Sequence, residues 1–174
     1  MRTEDLITLE KRGTLPKFVL FWGGKQRKGC LSQWWPSPFT VDGVRYATAE
    51  HYMMAEKARL FGDEDALTEI LAKPDPARAK AFGRKIRGFD ERAWEEHRYD
   101  IVVRGNVAKF SAHDDLREYL VATDGRVLVE ASPVDRVWGI GLAEDDPRAE
   151  RPSQWRGLNL LGFALMDARA ELAG

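Results

Sequence analysis

The stretch Thr48-Ala49-Glu50-His51-Tyr52-Met53-Met54-Ala55-Glu56-Lys57-Ala58 carries the chemically least ordinary pattern in this sequence. Thr48 is a suitable N-cap after the extended-looking Val44-Arg45-Tyr46, so the run reads as the opening turns of a helix. Glu50, Met53, Met54 and Lys57 then stand at i, i+3, i+4 and i+7 on one face. A core stripe should be apolar throughout, whereas this one starts with a carboxylate and ends with an ammonium ~10 Å further along the axis. A carboxylate can stabilise a developing positive charge or activate water, and an ammonium can hold a phosphate. The commoner arrangement is a surface Glu and a surface Lys flanking a Met stripe, with Glu favoured near a helix N-terminus by the dipole.

Other positions add to this set. From Lys11 to Val41 there is no acidic residue, and Lys25, Arg27 and Lys28 follow the pair Gly23-Gly24. A basic loop after a diglycine turn can grip a phosphate or simply be solvated. In Leu31-Ser32-Gln33-Trp34-Trp35-Pro36-Ser37-Pro38-Phe39 the adjacent tryptophans cannot both enter one core from an extended segment, so one of them is free to line a pocket or wedge the loop. Asp135 precedes Trp138-Gly139-Ile140-Gly141, where small residues allow backbone to approach a ligand.

The elements that must position these residues can be read along the chain. Phe18–Trp22 reads as a buried strand, and Asp42-Gly43 between β-favouring runs signals a hairpin over Phe39–Tyr46. The hairpin leads to the Glu50 helix. Short helices are expected from Asp63 to Lys73, stopped by Pro74, and from Asp75-Pro76 to about Phe82. A long helix capped by Asp90 carries Trp94, His97, Ile101 and Ala108 at helical spacing, and another spans Asp114–Val121. Arg126–Ala131 reads as a strand, and Arg136–Gly141 as a second extended run broken by glycines. A last helix over Leu158–Leu172 places Leu158, Leu161, Leu165, Ala168 and Leu172 on one face. Residues 143–152 form a polar loop.

Composition limits the classes of function. With 174 residues, 44% hydrophobic and 32% charged, the chain matches one soluble globular domain. A formal net charge of -1 gives no global drive toward nucleic acid or membrane. The single cysteine, Cys30, excludes an internal disulfide framework and suits a reducing cytoplasm. Neither an apolar signal core nor a run of transmembrane length is present. His51, His97 and His113 are far apart without cysteine partners, so no His/Cys metal site is expected, which leaves only carboxylates as metal ligands; no cofactor is expected.

Taken in order, Phe21-Trp22, Leu31–Phe39, Thr48–Lys57, Trp94, Ser132–Gly141 and Gly157-Leu158-Asn159-Leu160-Leu161-Gly162 resemble the NADAR family of YbiA-like N-glycosidases over roughly residues 18–170. The resemblance implies a compact single-domain YbiA-like fold, mainly α with small β elements. It implies cleavage of a ribosyl C–N bond in phosphoribosylamino-pyrimidine intermediates of riboflavin synthesis or in ADP-ribosylated guanine, including guanine in DNA or RNA. It places catalytic roles on Glu50, Asp135 and Lys57, expected to line one pocket. The substrate-binding set is Trp94, Trp138, Gly139, Asn159, Trp22, Trp35, Lys25 and Lys28. Breaking an N-glycosidic bond builds oxocarbenium-like charge, which suits one carboxylate as stabiliser and one as base. Lys57 could hold a phosphate, tune a carboxylate, or attack an opened ribose as a Schiff-base nucleophile. The chain departs from the family pattern at Gln33-Trp34, where Asn-Phe is usual, and at Met53-Met54, where an aromatic and a glutamine are usual. A non-catalytic ADP-ribose or nucleotide-binding module would use the same tryptophans and basic loop. A helical interaction protein would use all of these residues structurally.

Because no ligand-spaced His/Cys cluster exists, hydrolysis is expected to proceed unchanged after exhaustive chelation. Activity abolished by EDTA and restored by one divalent ion would contradict this.

Overall fold

The computed structural model describes residues 1–24 and 26–174. Its order is α1 (Thr3–Arg12), β1 (Phe18–Phe21), a 3-10 turn (Arg27–Leu31), β2 (Phe39–Val41), β3 (Val44–Tyr46), α2 (Ala49–Leu60), α3 (Glu64–Leu71), α4 (Pro76–Gly83), α5 (Glu91–Ser111), α6 (Asp114–Val121), β4 (Val127–Glu130), a 3-10 turn (Pro152–Gln154) and α7 (Leu160–Ala173). The fold is mainly α with small β elements. The chain divides into two compact units, one of residues 33–117 and one of residues 1–32 with 118–174.

In the unit of residues 33–117, the expected hairpin forms with Phe39 opposite Tyr46. Asp42 (φ 49°) and Gly43 (φ 78°) both adopt the left-handed conformation that a two-residue I′ turn requires. The rings of Phe39, Tyr46 and Tyr52 pack together with centroids 5.1–5.9 Å apart, fastening the hairpin to α2. Thr48 caps α2 by accepting from the His51 N–H. Every residue from Ala49 to Ala55 is buried, because α3, α4 and α5 all pack on α2. Two glycines permit the close approach. A Cβ at Gly83 would lie 2.0 Å from the Met54 sulfur, and one at Gly105 would lie 2.5 Å from the Tyr52 ring. The helix-weakening Gly105 thus accommodates α2.

The long α5 differs from expectation in its buried stripe. Trp94, Ile101, Val102, Gly105, Asn106, Lys109 and Phe110 are buried, whereas His97 is exposed and Ala108 only partly covered. Trp94 and Ile101 are buried as expected; the spacing missed the rest of the stripe because polar Asn106 and Lys109 stand where apolar residues would mark it. Asn106 Nδ2 donates to Gln33 Oε1 at 3.0 Å and to the Val102 carbonyl at 2.9 Å.

In the other unit, β1 and β4 pair in parallel, with Phe18 opposite Val127 and Phe21 opposite Glu130. The strands end one residue earlier than expected at both Trp22 and Ala131. Arg136–Gly141 is not a strand but a series of turns. α7 starts at Leu160, leaving Leu158 outside it and 49% exposed, while Leu161, Leu165, Ala168 and Leu172 are buried as expected. α1 was not apparent in the sequence, since only Leu6 of its ten residues is buried. It is held instead by polar contacts: the Glu10 carboxylate accepts from the N–H and hydroxyl of Ser153.

Asn159 is the joint of this unit. It is fully buried and left-handed, at φ 55°. Its Oδ1 accepts from the Glu130 N–H at 3.0 Å, and its Nδ2 donates to the Leu128 carbonyl at 3.0 Å. The carboxamide therefore completes the free edge of β4 as a neighbouring strand would. Replacing Asn159 by Ala leaves two buried backbone groups unpaired and imposes left-handed strain. A loss of about 3 kcal/mol is expected. Thermal denaturation should show the midpoint falling by roughly 6–12 °C.

Candidate active site

Glu50 sits in the first turn of α2 and is 3% exposed. The surface carboxylate that its helix position suggested is therefore a buried one. Its N–H donates to the Gln33 carbonyl at 3.0 Å, tying the helix entry to the Trp-Pro loop. Burial of a carboxylate is costly, and side chains this polar are rarely placed there without a function or a partner.

Lys57, two turns on, is half-buried. Its Nζ donates to the Gly83 carbonyl at 2.9 Å. It also lies 4.4 Å from the centroid of the Phe89 ring and 5.3 Å from that of Trp94. Burial pushes the Lys57 ammonium pKa down, and the Glu50 carboxylate opposes that shift. The structure thus brings Glu50, Lys57 and Trp94 into one neighbourhood of α2 and the start of α5. Trp94 is 8% exposed, so it forms a wall of this neighbourhood more than a surface platform.

The neighbouring His51 has a structural assignment. Burial lowers its pKa, favouring neutral imidazole. Its Nε2 lies 2.8 Å from the Lys73 carbonyl, so Nε2 carries the proton and Nδ1 accepts from the Thr48 hydroxyl at 2.8 Å. Among the described residues no His, Cys, Asp and Glu side chains cluster as a metal site. A cavity of about 300 Å³ touches Trp34, Pro36, Pro38, Thr48 and Pro74, but Glu50, Lys57 and Trp94 are not among its walls. Trp35 is half-buried and Trp34 is 44% exposed, so the two rings divide, within a turn and not in an extended segment.

Asp135, Trp138, Gly139 and Asn159 belong to the other unit and are brought together there. Asp135 Oδ1 accepts from the N–H groups of Val137 and Trp138, both at 2.8 Å. The carbonyls of Arg136, Val137, Trp138 and Gly139 in turn accept from the N–H groups of Leu158, Leu160, Leu161 and Asn159. Asp135 therefore shapes a turn whose carbonyls satisfy the otherwise unpaired N–H groups at the start of α7. Gly139 and Gly157 serve this junction. A Cβ on Gly157 would lie 2.3 Å from the Gly139 carbonyl oxygen, and one on Gly139 would lie 2.9 Å from that of Glu130. The close approach that the glycines allow is of backbone to backbone.

Trp22 is 51% exposed after β1. Lys28 is engaged by Glu144 in an ion pair, and the Arg27 guanidinium lies 5.7 Å from the Tyr119 ring centroid. Lys25, the remaining phosphate candidate, lies outside the described residues.

A family model, the NADAR domain, matches residues 20–173. The chain belongs to the NADAR family. An N-glycosidase of Acanthamoeba polyphaga mimivirus is 39% identical over 163 residues, covering 89% of this chain and 96% of that protein. The chloroplastic riboflavin biosynthesis protein PYRR of Zea mays is 35% identical over 140 residues, which is 76% of this chain and 21% of that longer protein. The NMR structure of Escherichia coli YbiA superposes with a TM-score of 0.75 at 30% identity, covering 90% of this chain and 85% of that one.

Phe89 and the Gly83 carbonyl escaped the sequence reading. The signal for Phe89 was present: it precedes the Asp90 cap, and Trp94 stands at the fourth helical position, the spacing of a hydrophobic staple. The loop bearing Phe89 is tied to the end of α2 by Asp63, whose carboxylate accepts from the Arg87 N–H at 2.8 Å and the Arg87 guanidinium at 2.9 Å. It also accepts from the Ala66 N–H at 3.1 Å.

These hydrogen bonds, foremost that of the Arg87 guanidinium, hold the Asp63 carboxyl well below the usual carboxylate range. A depressed folded-state pKa contributes stability that is present above about pH 4 and lost as pH falls further. Asp63→Asn should therefore lower the denaturation midpoint at neutral pH and flatten its decline between about pH 4 and pH 2. An unchanged acid limb would contradict this assignment.

Proposed function

We propose that this chain is an N-glycosidase that hydrolyses a ribosyl C–N bond, with Glu50 as its principal catalytic carboxylate. The observation carrying the assignment is the burial of Glu50 on the α2 face that also bears Lys57. The activity named for its relatives from mimivirus and E. coli supports the same reading.

Departure of the base leaves positive charge on the sugar C1 and ring oxygen. A carboxylate held out of bulk water stabilises that charge strongly, since its field is little screened. A second carboxylate accepts the proton of the attacking water, and the departing base takes up a proton as its nitrogen is released. Asp135 is proposed for catalysis on the family resemblance alone; within its own unit, its Oδ1 shapes the turn that follows it. Lys57 is the proposed cation for the anionic part of the substrate. Trp94 supplies an apolar wall beside it.

Two substrate classes fit this chemistry: a phosphoribosylamino-pyrimidine of riboflavin synthesis, and ADP-ribosylated guanine, free or in nucleic acid. The maize relative's name supports the first. Discrimination between them is proposed to involve Gln33, where the chain departs from the family pattern. Its carbonyl holds the Glu50 N–H and its side chain accepts from Asn106.

Glu50→Gln and Asp135→Asn keep size and, at Asp135, the Oδ1 acceptor, while removing charge. Each should lower kcat by about a hundredfold with an unchanged circular-dichroism spectrum. Folded variants with near-full turnover would remove this mechanism.

A further inference from the structure

Phe89 has an environment that its position in an exposed loop does not require. It is 46% exposed, a costly setting for a phenyl ring unless something holds it there. The ring packs edge-on against Phe61, with centroids 5.3 Å apart. Gly88 before it is left-handed at φ 72°, a conformation that turns the chain sharply at little cost only for glycine. Arg87, next along, is anchored through backbone and side chain to Asp63. Three independent devices therefore fix one aromatic ring at the mouth of the Lys57 neighbourhood. There the Lys57 ammonium lies 4.4 Å from its centroid, with Trp94 and the Gly83 carbonyl also against it.

We propose that Phe89 is a positioning residue, holding the Lys57 ammonium in place through its ring face so that the cation meets the substrate in one orientation. The inference rests on the substrate-holding part proposed for Lys57 above. An unrestrained lysine has a flexible four-carbon stem and many rotamers, whereas rings and a carbonyl on several sides select one. The ring's electrostatic face, more than its bulk, performs this task. Leucine at position 89 would cover Phe61 comparably but offers no negative π face, while tyrosine preserves it.

The experiment is a double-mutant cycle between Lys57→Ala and Phe89→Leu, with Phe89→Tyr as the conservative control, measured as kcat and KM on a ribosylated substrate that the wild-type protein cleaves. Phe89→Leu should lower kcat/KM roughly tenfold, Phe89→Tyr should retain most of the activity, and Phe89→Leu should have no further effect once Lys57 is Ala. Phe89→Met replaces the leucine variant if circular dichroism shows that the latter does not fold. Additive effects, or equal losses with Leu and Tyr, would overturn the positioning role while leaving the glycosidase assignment standing. A Lys57→Ala variant with wild-type kcat/KM would instead remove the part assigned to Lys57, and the role of Phe89 with it. These failures are distinct from loss of the Glu50 mechanism, which the Glu50→Gln variant reads separately.

Discussion

A carboxylate taken out of water is the constraint around which residues 33–117 are built. Glu50 can sit at 3% exposure only if the helix bearing it is covered on nearly every side. That requirement explains features otherwise unrelated in the sequence. Thr48 fixes where α2 begins, and the Gln33 carbonyl holds the Glu50 amide. Gly83 and Gly105 let α4 and α5 close on Met54 and Tyr52. A side chain at either glycine would force Met54 or Tyr52 of α2 to shift. Solvent admitted to the carboxylate weakens the field that the proposed chemistry needs. Core packing and chemistry are here one problem.

The second unit solves a different problem, that of its backbone. Two motifs 24 residues apart, around Asp135 and around Asn159, are halves of one junction. Asp135 bends the chain so that successive carbonyls face the first amides of α7, and Asn159 turns back to complete β4. Much of what a sequence motif presents as a binding signature is therefore explained by hydrogen-bond satisfaction. Asp135 combines the two roles proposed for it without contradiction, since one oxygen shapes the turn and the charge belongs to the whole carboxylate.

The helices with strong local signals were legible in the sequence. Thr48, Asp75 and Asp90 each cap a helix at the expected position, because a side-chain oxygen accepting an amide is a local event. The hairpin was legible through Asp42-Gly43 for the same reason. What remained hidden depended on contacts distant in sequence. α1 has only Leu6, Ile7 and Leu9 to announce it. Arg136–Gly141 has the composition of a strand but gives its carbonyls to α7. The depth of Glu50 could not be read from α2 alone, since three other helices pack on α2. Of the site, the face shared by Glu50 and Lys57 was readable from helical phase, whereas the ring of Phe89 against Lys57 needed the fold.

The account stands on turnover, not on recognition of a ribosylated ligand alone. The decisive measurement incubates the wild-type protein with a phosphoribosylamino-pyrimidine and, separately, with ADP-ribosylated guanosine, following free base and free sugar by chromatography. The account requires multiple equivalents of base per protein molecule, with equal sugar released, from at least one of them. Saturable binding of both ligands with no base released would contradict it and leave a nucleotide-binding module in its place.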